Sequence, residues 1–229
     1  MIISHKHKFI FIKTEKTAGT SIEIALSRIC GPNDIITPVA PKDEKYRQKL
    51  NYTGSQNYLI PFSKYSLSDF IHMVKKRKRL RFFNHISAKE VKRLIEPEIW
   101  NSYYKFTFER NPFDKLISWY YWSGGDKKYG SISNFIKSGD AKKVKGYQLY
   151  TDQGKVIVDQ VYFFEDIANG LQDVSEKLNL DDPISLPKKK LKGNTRKNKL
   201  PYQEILNDSE ISWVKTNYKK ELEMFDYSF

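Results

Sequence analysis

The chain has 229 residues and a formal net charge of +13, from 40 Lys and Arg against 27 Asp and Glu. This charge favours anionic partners, such as nucleotides, nucleic acid, acidic glycans or anionic lipid surfaces. The single cysteine, Cys30, excludes an internal disulfide, and no apolar run has the length of a spanning helix or the layout of a signal peptide. We therefore expect one domain over residues 1–229 and a cytoplasmic location.

The first unit in chain order is a strand followed by a helix. The run KFIFIK at 8–13 is short and rich in aromatic and β-branched residues, which predicts a buried strand. The next apolar residues recur at spacings of three and four, which predicts an amphipathic helix that ends at Gly31 and Pro32. These apolar residues are Ile22, Ala25, Leu26 and Ile29.

The segment KTAGTS at 16–21 lies between this strand and this helix, where backbone N–H groups and the helix dipole favour an anion. Gly19 allows close backbone approach, Lys16 adds a positive charge, and the hydroxyls of Thr17, Thr20 and Ser21 can donate hydrogen bonds. The segment predicts a phosphate or sulfate cradle, with a plain polar helix start as the alternative. Lys16 precedes the glycine, unlike the lysine of a Walker motif, which disfavours a kinase.

The middle of the chain combines an unpatterned stretch with two helices. Residues 31–65 show little periodicity, which predicts a long loop suited to acceptor binding. Helical patterns follow at 66–76 and 87–95. Each begins at a serine suited to N-capping, Ser66 and Ser87. The cationic run KKRKR at 75–79 is typical of a solvated surface, and steering of an acidic acceptor is the alternative.

A second strand–helix unit follows at YYKFTFER, residues 103–110, with a helix predicted over 113–122 after Pro112. A third strand is predicted at about 160–164 and leads into a helix over 168–180. This alternation predicts the α/β class, with a mainly parallel central sheet flanked by helices and ligands bound at the carboxyl ends of its strands.

The last part of the chain divides into a basic loop and a helix. Residues 183–204 are rich in Pro and Lys without an apolar period, which predicts a mobile basic loop. The run SEISWVKTNYKKELEMFDY then predicts one closing helix over 209–227.

Three ordered segments, KTAGTS, FTFERNPFDKLISWYY and VYFFEDI, together resemble the sulfotransferases that use 3′-phosphoadenosine 5′-phosphosulfate. The resemblance is to their carbohydrate-type branch, sulfotransferase family 2, and it implies a P-loop-like sulfotransferase fold over most of the chain. It is thin across 31–65 and 123–155, which carry acceptor choice in such enzymes and are therefore expected to be acceptor-side insertions. Glu15 stands where this family usually has proline, which leaves the shape of the cradle loop open.

The resemblance also implies which residues bind the nucleotide donor. Those that would hold the 5′-phosphosulfate are Lys16, Thr17, Ala18, Gly19, Thr20 and Ser21. Arg110 and Ser118 would hold the 3′-phosphate, with a surface ion pair and ordinary helix packing as their alternatives. Arg196 and Lys197 match in position a segment that closes over the nucleotide in this family, and a plain flexible loop is their alternative.

The implied reaction is an in-line displacement at sulfur without a metal, in which an acceptor hydroxyl attacks and adenosine 3′,5′-bisphosphate leaves. Lys16 would stabilise the leaving oxygen, and His85 would act as the general base, with a structural role for His85 as the alternative. The acceptor would be a glycan or glycolipid. No cluster of His, Cys and carboxylates in the sequence has metal-ligand spacing.

Two other functions compete with this interpretation. A nucleic-acid-binding protein would use the basic runs and exposed tyrosines, its affinity would fall steeply with salt, and it would not depend on Lys16. A P-loop nucleotide phosphotransferase would require magnesium for turnover. We expect neither nucleic acid nor metal to be a partner of the chain.

Overall fold

A mixed β-sheet lies at the centre of the computed structural model, which describes residues 1–188 and 196–229. The strands of these residues are β1 (Ile2–Ser4), β2 (Phe9–Ile12), β3 (Ile35–Ile36), β4 (Tyr104–Glu109), β5 (Thr151–Asp152), β6 (Lys155–Val156) and β7 (Gln160–Phe163). The strand order of the main sheet is β3–β1–β2–β4–β7, and β5 and β6 pair separately. The α/β class is therefore confirmed.

Helices connect and cover these strands. The α-helices of the described residues are α1 (Gly19–Ser27), α2 (Pro41–Lys49), α3 (Leu67–Lys76), α4 (Ala88–Leu94), α5 (Pro97–Ser102), α6 (Pro112–Trp122), α7 (Asp126–Tyr129), α8 (Ile132–Lys137), α9 (Tyr147–Tyr150), α10 (Ile167–Lys177), α11 (Tyr202–Ile205), α12 (Asp208–Asn217) and α13 (Lys219–Phe225). Short 3-10 helices occur at Phe62–Lys64, Asp140–Lys143 and Phe164–Asp166.

The prediction of a mainly parallel sheet is wrong, because the sheet is mixed. β2, β4 and β7 run parallel to one another, whereas β1 is antiparallel to both β2 and β3. Residues 5–8 join β1 to β2, and four residues are too few for the crossover that parallel strands need. The Asp34 carboxylate holds this turn by accepting hydrogen bonds from the Ser4 hydroxyl at 2.8 Å and the His5 N–H at 2.7 Å.

Each face of the sheet is covered by helices, because successive strand residues point to opposite faces. On one face, a cluster of buried residues joins strand residues to α4 and α5: Ile3, Ile10, Ile12, Val91, Leu94 and Trp100. On the other, strand phenylalanines pack against α1 and α10: Phe9, Phe11, Phe106, Phe108, Ile22, Leu26, Leu171 and Val174. This arrangement fixes the loops at the carboxyl ends of β2 and β4 next to each other.

The region 31–65 is not the plain loop that its weak periodicity predicts, since it contains α2. Pro41 occupies the first turn of this helix together with Asp43 and Glu44, and Arg47 lies in the last turn. These residues favour a helix through the fixed φ of proline and the helix dipole. Because α2 has no apolar stripe, hydrophobic periodicity could not indicate it.

Several local predictions are confirmed and one is wrong. Ser66 and Ser87 cap α3 and α4 by accepting hydrogen bonds from the backbone N–H groups three residues later, both at 3.2 Å. The predicted closing helix is instead two helices, α12 and α13, which are separated at the buried Tyr218. Of the predicted basic loop 183–204, residues 189–195 lie outside the described residues.

No helix in the part of the chain that the structure describes combines the length and the apolar character needed to cross a membrane. The cytoplasmic location and the single domain stay predictions.

Candidate active site

The loop after β2 has an unusual backbone conformation. Lys16 has a φ of 66° and Ala18 a φ of 56°, so two residues with side chains adopt the left-handed region that favours glycine. Left-handed residues alternating with right-handed ones turn successive N–H groups toward a common centre, which forms an anion-binding concavity. Strain of this kind is imposed by the surrounding structure, and it clusters at ligand-binding and active sites. The predicted cradle at 16–21 therefore has a backbone suited to an anion.

Gly19 begins α1 at the edge of this concavity. A Cβ atom at this position would lie 2.8 Å from Lys13 Cγ and 3.4 Å from the carbonyl oxygen of Thr14. Only glycine therefore allows the start of α1 to approach the end of β2 so closely. The N–H groups at the start of a helix point away from the helix body, and such a terminus favours an anion.

The cradle hydroxyls differ in their surroundings. Thr17 is buried, and its hydroxyl lies 3.0 Å from that of Thr14, whose own hydroxyl donates to the carbonyl oxygen of Phe108. The Thr17 side chain thus braces the loop against β4. Thr20 is partly exposed at the start of α1, whereas Ser21 is buried and its N–H donates to the carbonyl oxygen of Ala18 at 2.8 Å.

Arg110 connects the end of β4 to the cradle. Its Nη1 donates a hydrogen bond of 3.0 Å to the carbonyl oxygen of Lys16, and its guanidinium lies 4.1 Å from the ring centroid of Phe164. The parallel pairing of β2 and β4, with Ile12 opposite Thr107, brings these two strand ends side by side. Lys16 and Arg110 therefore share one edge of the sheet.

Asp114 holds two arginines of the candidate site. One of its oxygens accepts from Nε of Arg110 at 2.9 Å and from Nη2 of the same side chain, and the other accepts from Nη1 of Arg196 at 2.5 Å. A guanidinium has five N–H donors, of which three on Arg110 are engaged by Asp114 and the Lys16 carbonyl. Two donors of Arg110 remain for an anion.

The Arg196 side chain is also fixed by its own segment. It donates to the carbonyl oxygens of Asn198 at 2.7 Å and Leu200 at 2.5 Å. Arg196 is therefore ordered beside Arg110, whereas Lys197 next to it is exposed. Sequence analysis predicted Arg110 and Arg196 as separate binding residues and did not predict that Asp114 lies between them. The spacing of four between Arg110 and Asp114 was the sequence feature that could have indicated this carboxylate.

Ser118 lies one turn beyond Asp114 on α6 and is partly buried. The spacing of four places the two residues on one side of the helix. Asn111 fixes the start of α6, because its side-chain oxygen accepts from the Phe113 N–H at 3.0 Å, and Pro112 follows in the first turn as predicted. Ser118 is thus directed from the same helix that presents Asp114.

His85 joins the site through the end of β2. Its Nδ1 lies 3.0 Å from the carbonyl oxygen of Lys13, and because a carbonyl only accepts, Nδ1 carries the proton and Nε2 the lone pair. Burial, together with the positive charge of Lys13, lowers the pKa of His85 to about 4. His85 is therefore neutral near pH 7, the form that can accept a proton.

A buried ion pair supports the His85 loop. Lys13 Nζ lies 2.6 Å from Glu23 Oε2 and donates to the Asn84 side-chain oxygen at 3.1 Å. Burial opposes ionisation of Glu23, but Lys13, the N-terminal ammonium and Arg47 together outweigh it, and the pKa of Glu23 falls to about 2. Asn84 in turn donates to the carbonyl oxygen of Pro38 at 2.7 Å. Sequence patterns did not indicate this network, because its members lie far apart in the chain.

Glu15, which replaces the usual proline of the resembled family, clamps the cradle to a distant segment. Its N–H donates to the carbonyl oxygen of Lys145 at 3.0 Å, and its carboxylate accepts from the Lys145 N–H at 2.6 Å. Proline could supply neither bond, since it lacks the N–H and the carboxylate. The glutamate at this position therefore ties the cradle loop to Lys145, which lies within the segment 123–155.

Gly146 packs this same segment against the end of β4. Glu109 and Lys115 form a buried ion pair there, and the Tyr150 hydroxyl donates to Glu109 at 3.1 Å. A Cβ atom at Gly146 would lie 2.8 Å from Glu109 Oε2. Residues 145 and 146 are thus fixed to both strand ends of the site.

An exposed indole lies beside the Lys16 ammonium. Lys16 Nζ lies 5.4 Å from the ring centroid of Trp122, which is 51% exposed and stacks on Trp119 with the ring centroids 4.8 Å apart. The site therefore combines a cation with a flat apolar surface open to solvent. Within residues 1–188 and 196–229, no group of three or more His, Cys, Asp and Glu side chains could hold a metal ion.

Comparison with known proteins gives a family match over the whole site. The model of the sulfotransferase family matches residues 1–228. An uncharacterized protein of Archaeoglobus fulgidus is 29% identical over 101 residues, which are 42% of this chain and 84% of that protein. No solved structure matches the chain. The matched range includes the cradle, the His85 loop and the arginines held by Asp114.

Proposed function

The chain belongs to the sulfotransferase family, and we propose that it transfers a sulfuryl group from 3′-phosphoadenosine 5′-phosphosulfate to a hydroxyl of a glycan or glycolipid. The hydrogen bond of 3.0 Å between Arg110 Nη1 and the Lys16 carbonyl oxygen is the observation that carries this proposal. A donor with phosphates at both its 3′ and 5′ positions needs two neighbouring anion sites. The adjacent ends of β2 and β4 offer such a pair.

The cradle fits the 5′-phosphosulfate. The left-handed residues Lys16 and Ala18 and the close approach of Gly19 support a role for backbone N–H groups in holding it, with Thr17, Thr20 and Ser21 completing the loop. We propose that this strand–loop–helix unit is a P-loop-like element. When bound, the donor supplies a sulfuryl group on a good leaving oxygen.

The 3′-phosphate would bind Arg110 and Ser118, with Arg196 and Lys197 on its other side. The two donors of Arg110 that Asp114 and Lys16 leave available suit a phosphate, which accepts planar forked pairs of hydrogen bonds. Arg196, held by the same carboxylate at 2.5 Å, adds positive charge beside it.

The chemistry assigned to the chain is a single displacement. The acceptor oxygen forms a bond to sulfur as the bond from sulfur to the bisphosphate oxygen breaks, and the hydroxyl proton passes to His85 Nε2. Because His85 is neutral with its Nδ1 proton held by the Lys13 carbonyl, its lone pair is available for this proton. Lys16 stabilises the negative charge that develops on the departing oxygen.

A sugar as acceptor is supported by the surface around Lys16. The exposed Trp122 ring offers a flat apolar face of the kind on which the apolar side of a sugar ring packs. Glu15 ties this edge to residue Lys145 of the segment 123–155, which we propose lies on the acceptor side together with 31–65.

Calorimetry with adenosine 3′,5′-bisphosphate tests the nucleotide assignment. Arg110→Ala should weaken its affinity about 10- to 100-fold, because charged hydrogen bonds to a phosphate are lost. The matched control is Arg28→Ala, since Arg28 pairs with Asp182 instead. Equal affinity in the wild type and Arg110→Ala would remove Arg110 from the site.

Transfer of label from radioactive donor to a panel of glycans, glycolipids and small alcohols tests the reaction itself. We expect turnover that persists in the presence of a metal chelator. Loss of all turnover on chelation would instead favour a phosphotransferase, whose magnesium bridges phosphate oxygens.

A further inference from the structure

The helix α3 presents an apolar stripe to solvent. Leu67, Phe70, Ile71 and Val74 have the spacing i, i+3, i+4 and i+7, which places them within an arc of about 100° on one side of the helix. Leu67 is 85% exposed and Val74 72% exposed. No residue of α3 is buried. An amphipathic helix normally turns such a stripe toward the core, so α3 is oriented in the reverse sense.

The polar side of α3 holds the helix in this orientation. Asp69 accepts a hydrogen bond of 3.0 Å from Arg93 of α4, and it also forms the capping box with Ser66. Leu80, after the helix, donates its N–H to the Tyr65 hydroxyl at 2.6 Å. The Asp69–Arg93 contact thus supports the outward position of the stripe from the opposite side, while Phe70 at the edge of the stripe packs on the ring of Tyr65, with the centroids 5.0 Å apart.

A dense group of cations begins in the last turn of α3. Five of them are consecutive at the end of α3 and just beyond it, and a sixth follows after Leu80: Lys75, Lys76, Arg77, Lys78, Arg79 and Arg81. Several line a groove of about 360 Å³ with Asp69, namely Lys76, Lys78, Arg79 and Arg81. Arg79 lies over the ring of the exposed Phe62, 4.6 Å from its centroid. Asp69 and Lys76 of this groove lie on the side of α3 opposite the stripe, so the helix has an exposed apolar side and a strongly positive polar side.

We propose that α3 and its cationic border form a docking surface for an anionic lipid membrane. Helices with an apolar stripe and a Lys- and Arg-rich polar side lie in the plane of the membrane interface, with the stripe among the acyl chains and the cations at the anionic headgroups. Charge complementarity selects this occupant, since the six cations match anionic headgroups. The proposal does not rest on sulfuryl transfer.

Nucleic acid fits this surface less well. It would pair with the cations, and the exposed rings of Phe62 and Phe70 offer faces on which bases stack. The more exposed aliphatic side chains of Leu67, Ile71 and Val74 would however stay in water. A membrane uses both parts of the surface at once. Only three residues separate Arg81 of this surface from His85, and the first of them, Phe82, is buried in the core. Because the surface is anchored to the core in this way, membrane docking would orient the rest of the molecule on the lipid.

Co-sedimentation with vesicles tests the proposal. The full chain is mixed with vesicles of phosphatidylcholine alone or of phosphatidylcholine with an equal part of phosphatidylglycerol, and the bound fraction gives the affinity. We expect binding to the anionic vesicles only. The triple change Lys75→Gln, Lys76→Gln and Lys78→Gln should weaken it about a hundredfold, because each cation contributes about fivefold near an anionic surface.

The matched control removes the same charge from another exposed helix surface, with Lys42→Gln, Lys45→Gln and Lys49→Gln on α2. It should bind within about threefold of the wild type. The apolar part is tested separately by Leu67→Gln with Val74→Gln, which should weaken binding about tenfold or more. Circular dichroism checks that every variant keeps its helices.

Five results would overturn the proposal. The wild type could fail to bind anionic vesicles, or bind neutral ones equally well. The α2 variant could lose as much affinity as the α3 variant, which would indicate attraction by net charge alone. A short DNA duplex could displace the protein from the vesicles and still bind the Leu67→Gln and Val74→Gln variant with wild-type affinity, which would identify nucleic acid as the occupant. A dimer in sedimentation equilibrium that this variant abolishes would identify a second copy of the chain.

Discussion

Two helices, α1 and α3, use their apolar residues in contrasting ways. The sequence of α1 is only weakly amphipathic, yet eight of its nine residues are buried. That of α3 is strongly amphipathic, and none of its ten residues is buried. α1 is enclosed because Ile22, Ala25 and Leu26 pack in one buried cluster with the phenylalanines of the sheet. An apolar period therefore identifies a helix, whereas contacts elsewhere in the chain decide which way its stripe faces.

The largest expected effect is on turnover, and it should distinguish His85 near the cradle from His72 on α3. His85→Ala should lower turnover on the true acceptor about 100- to 10,000-fold while leaving bisphosphate affinity nearly unchanged, because general-base help is lost. His72→Ala, on the exposed surface of α3, is the matched control and should leave turnover in solution within about twofold. Steady-state rates and calorimetry measure both. Turnover unchanged in His85→Ala would leave that histidine a structural role.

Truncating one leucine in each helix should sharpen the contrast. Leu26→Ala in α1 should lower the free energy of unfolding by about 2 to 5 kcal/mol, since the side chain is fully buried against the sheet. Leu67→Ala in α3 should change it by less than about 0.5 kcal/mol, since that side chain is 85% exposed. Denaturant titration measures both. A large loss in Leu67→Ala would show that α3 has a partner within the chain.

The acid side of the pH profile should reflect the burial of His85. In the proposed mechanism the neutral ring of His85 accepts the proton, so kcat/KM should hold as pH falls and then drop about tenfold per pH unit below about pH 4. An ordinary histidine would already lose half of the activity near pH 6.5. Rates are measured with circular dichroism at each pH, so that unfolding is recognised. A midpoint near pH 6.5 would contradict the buried, Lys13-facing environment.

The smallest effect concerns the clamp at Glu15. Glu15→Ala removes the acceptor for the Lys145 N–H and should lower the free energy of unfolding by about 1 kcal/mol. Glu15→Gln keeps an oxygen acceptor and should retain most of that stability. Hydrogen exchange at Lys145 gives a local readout, which should quicken in Glu15→Ala. Unchanged exchange there would mean that the carboxylate contributes nothing to holding this segment.

Sequence patterns predicted the elements whose signal is local. β2, α1, β4 and α6 follow from short β-rich runs and helical spacing, and the caps Ser66 and Ser87 follow from serine before each helix. β1 was not predicted, because it has only three residues and the basic residues between it and β2 make the two strands look like one interrupted apolar run. α2 was not predicted, because its helical signals are proline and charged residues, and it has no apolar period.

The candidate site divides in the same way. KTAGTS and Arg110 could be named from motifs, but Asp114 between two arginines, the Lys13–Glu23 pair and the Glu15 clamp depend on contacts between distant residues. Such contacts leave no periodic trace. The strained φ angles at Lys16 and Ala18 are likewise invisible in the sequence, since neither residue type signals a left-handed conformation.

The Asp114 bridge has a consequence for how a nucleotide would be received. Arginine side chains lose up to about 2 kcal/mol of rotamer entropy when they are immobilised, and here the protein has already immobilised both guanidiniums around one carboxylate. A phosphate entering between them would meet a preorganised receptor with one unit of positive charge to spare. Affinity at this position would then come from rigidity as much as from charge.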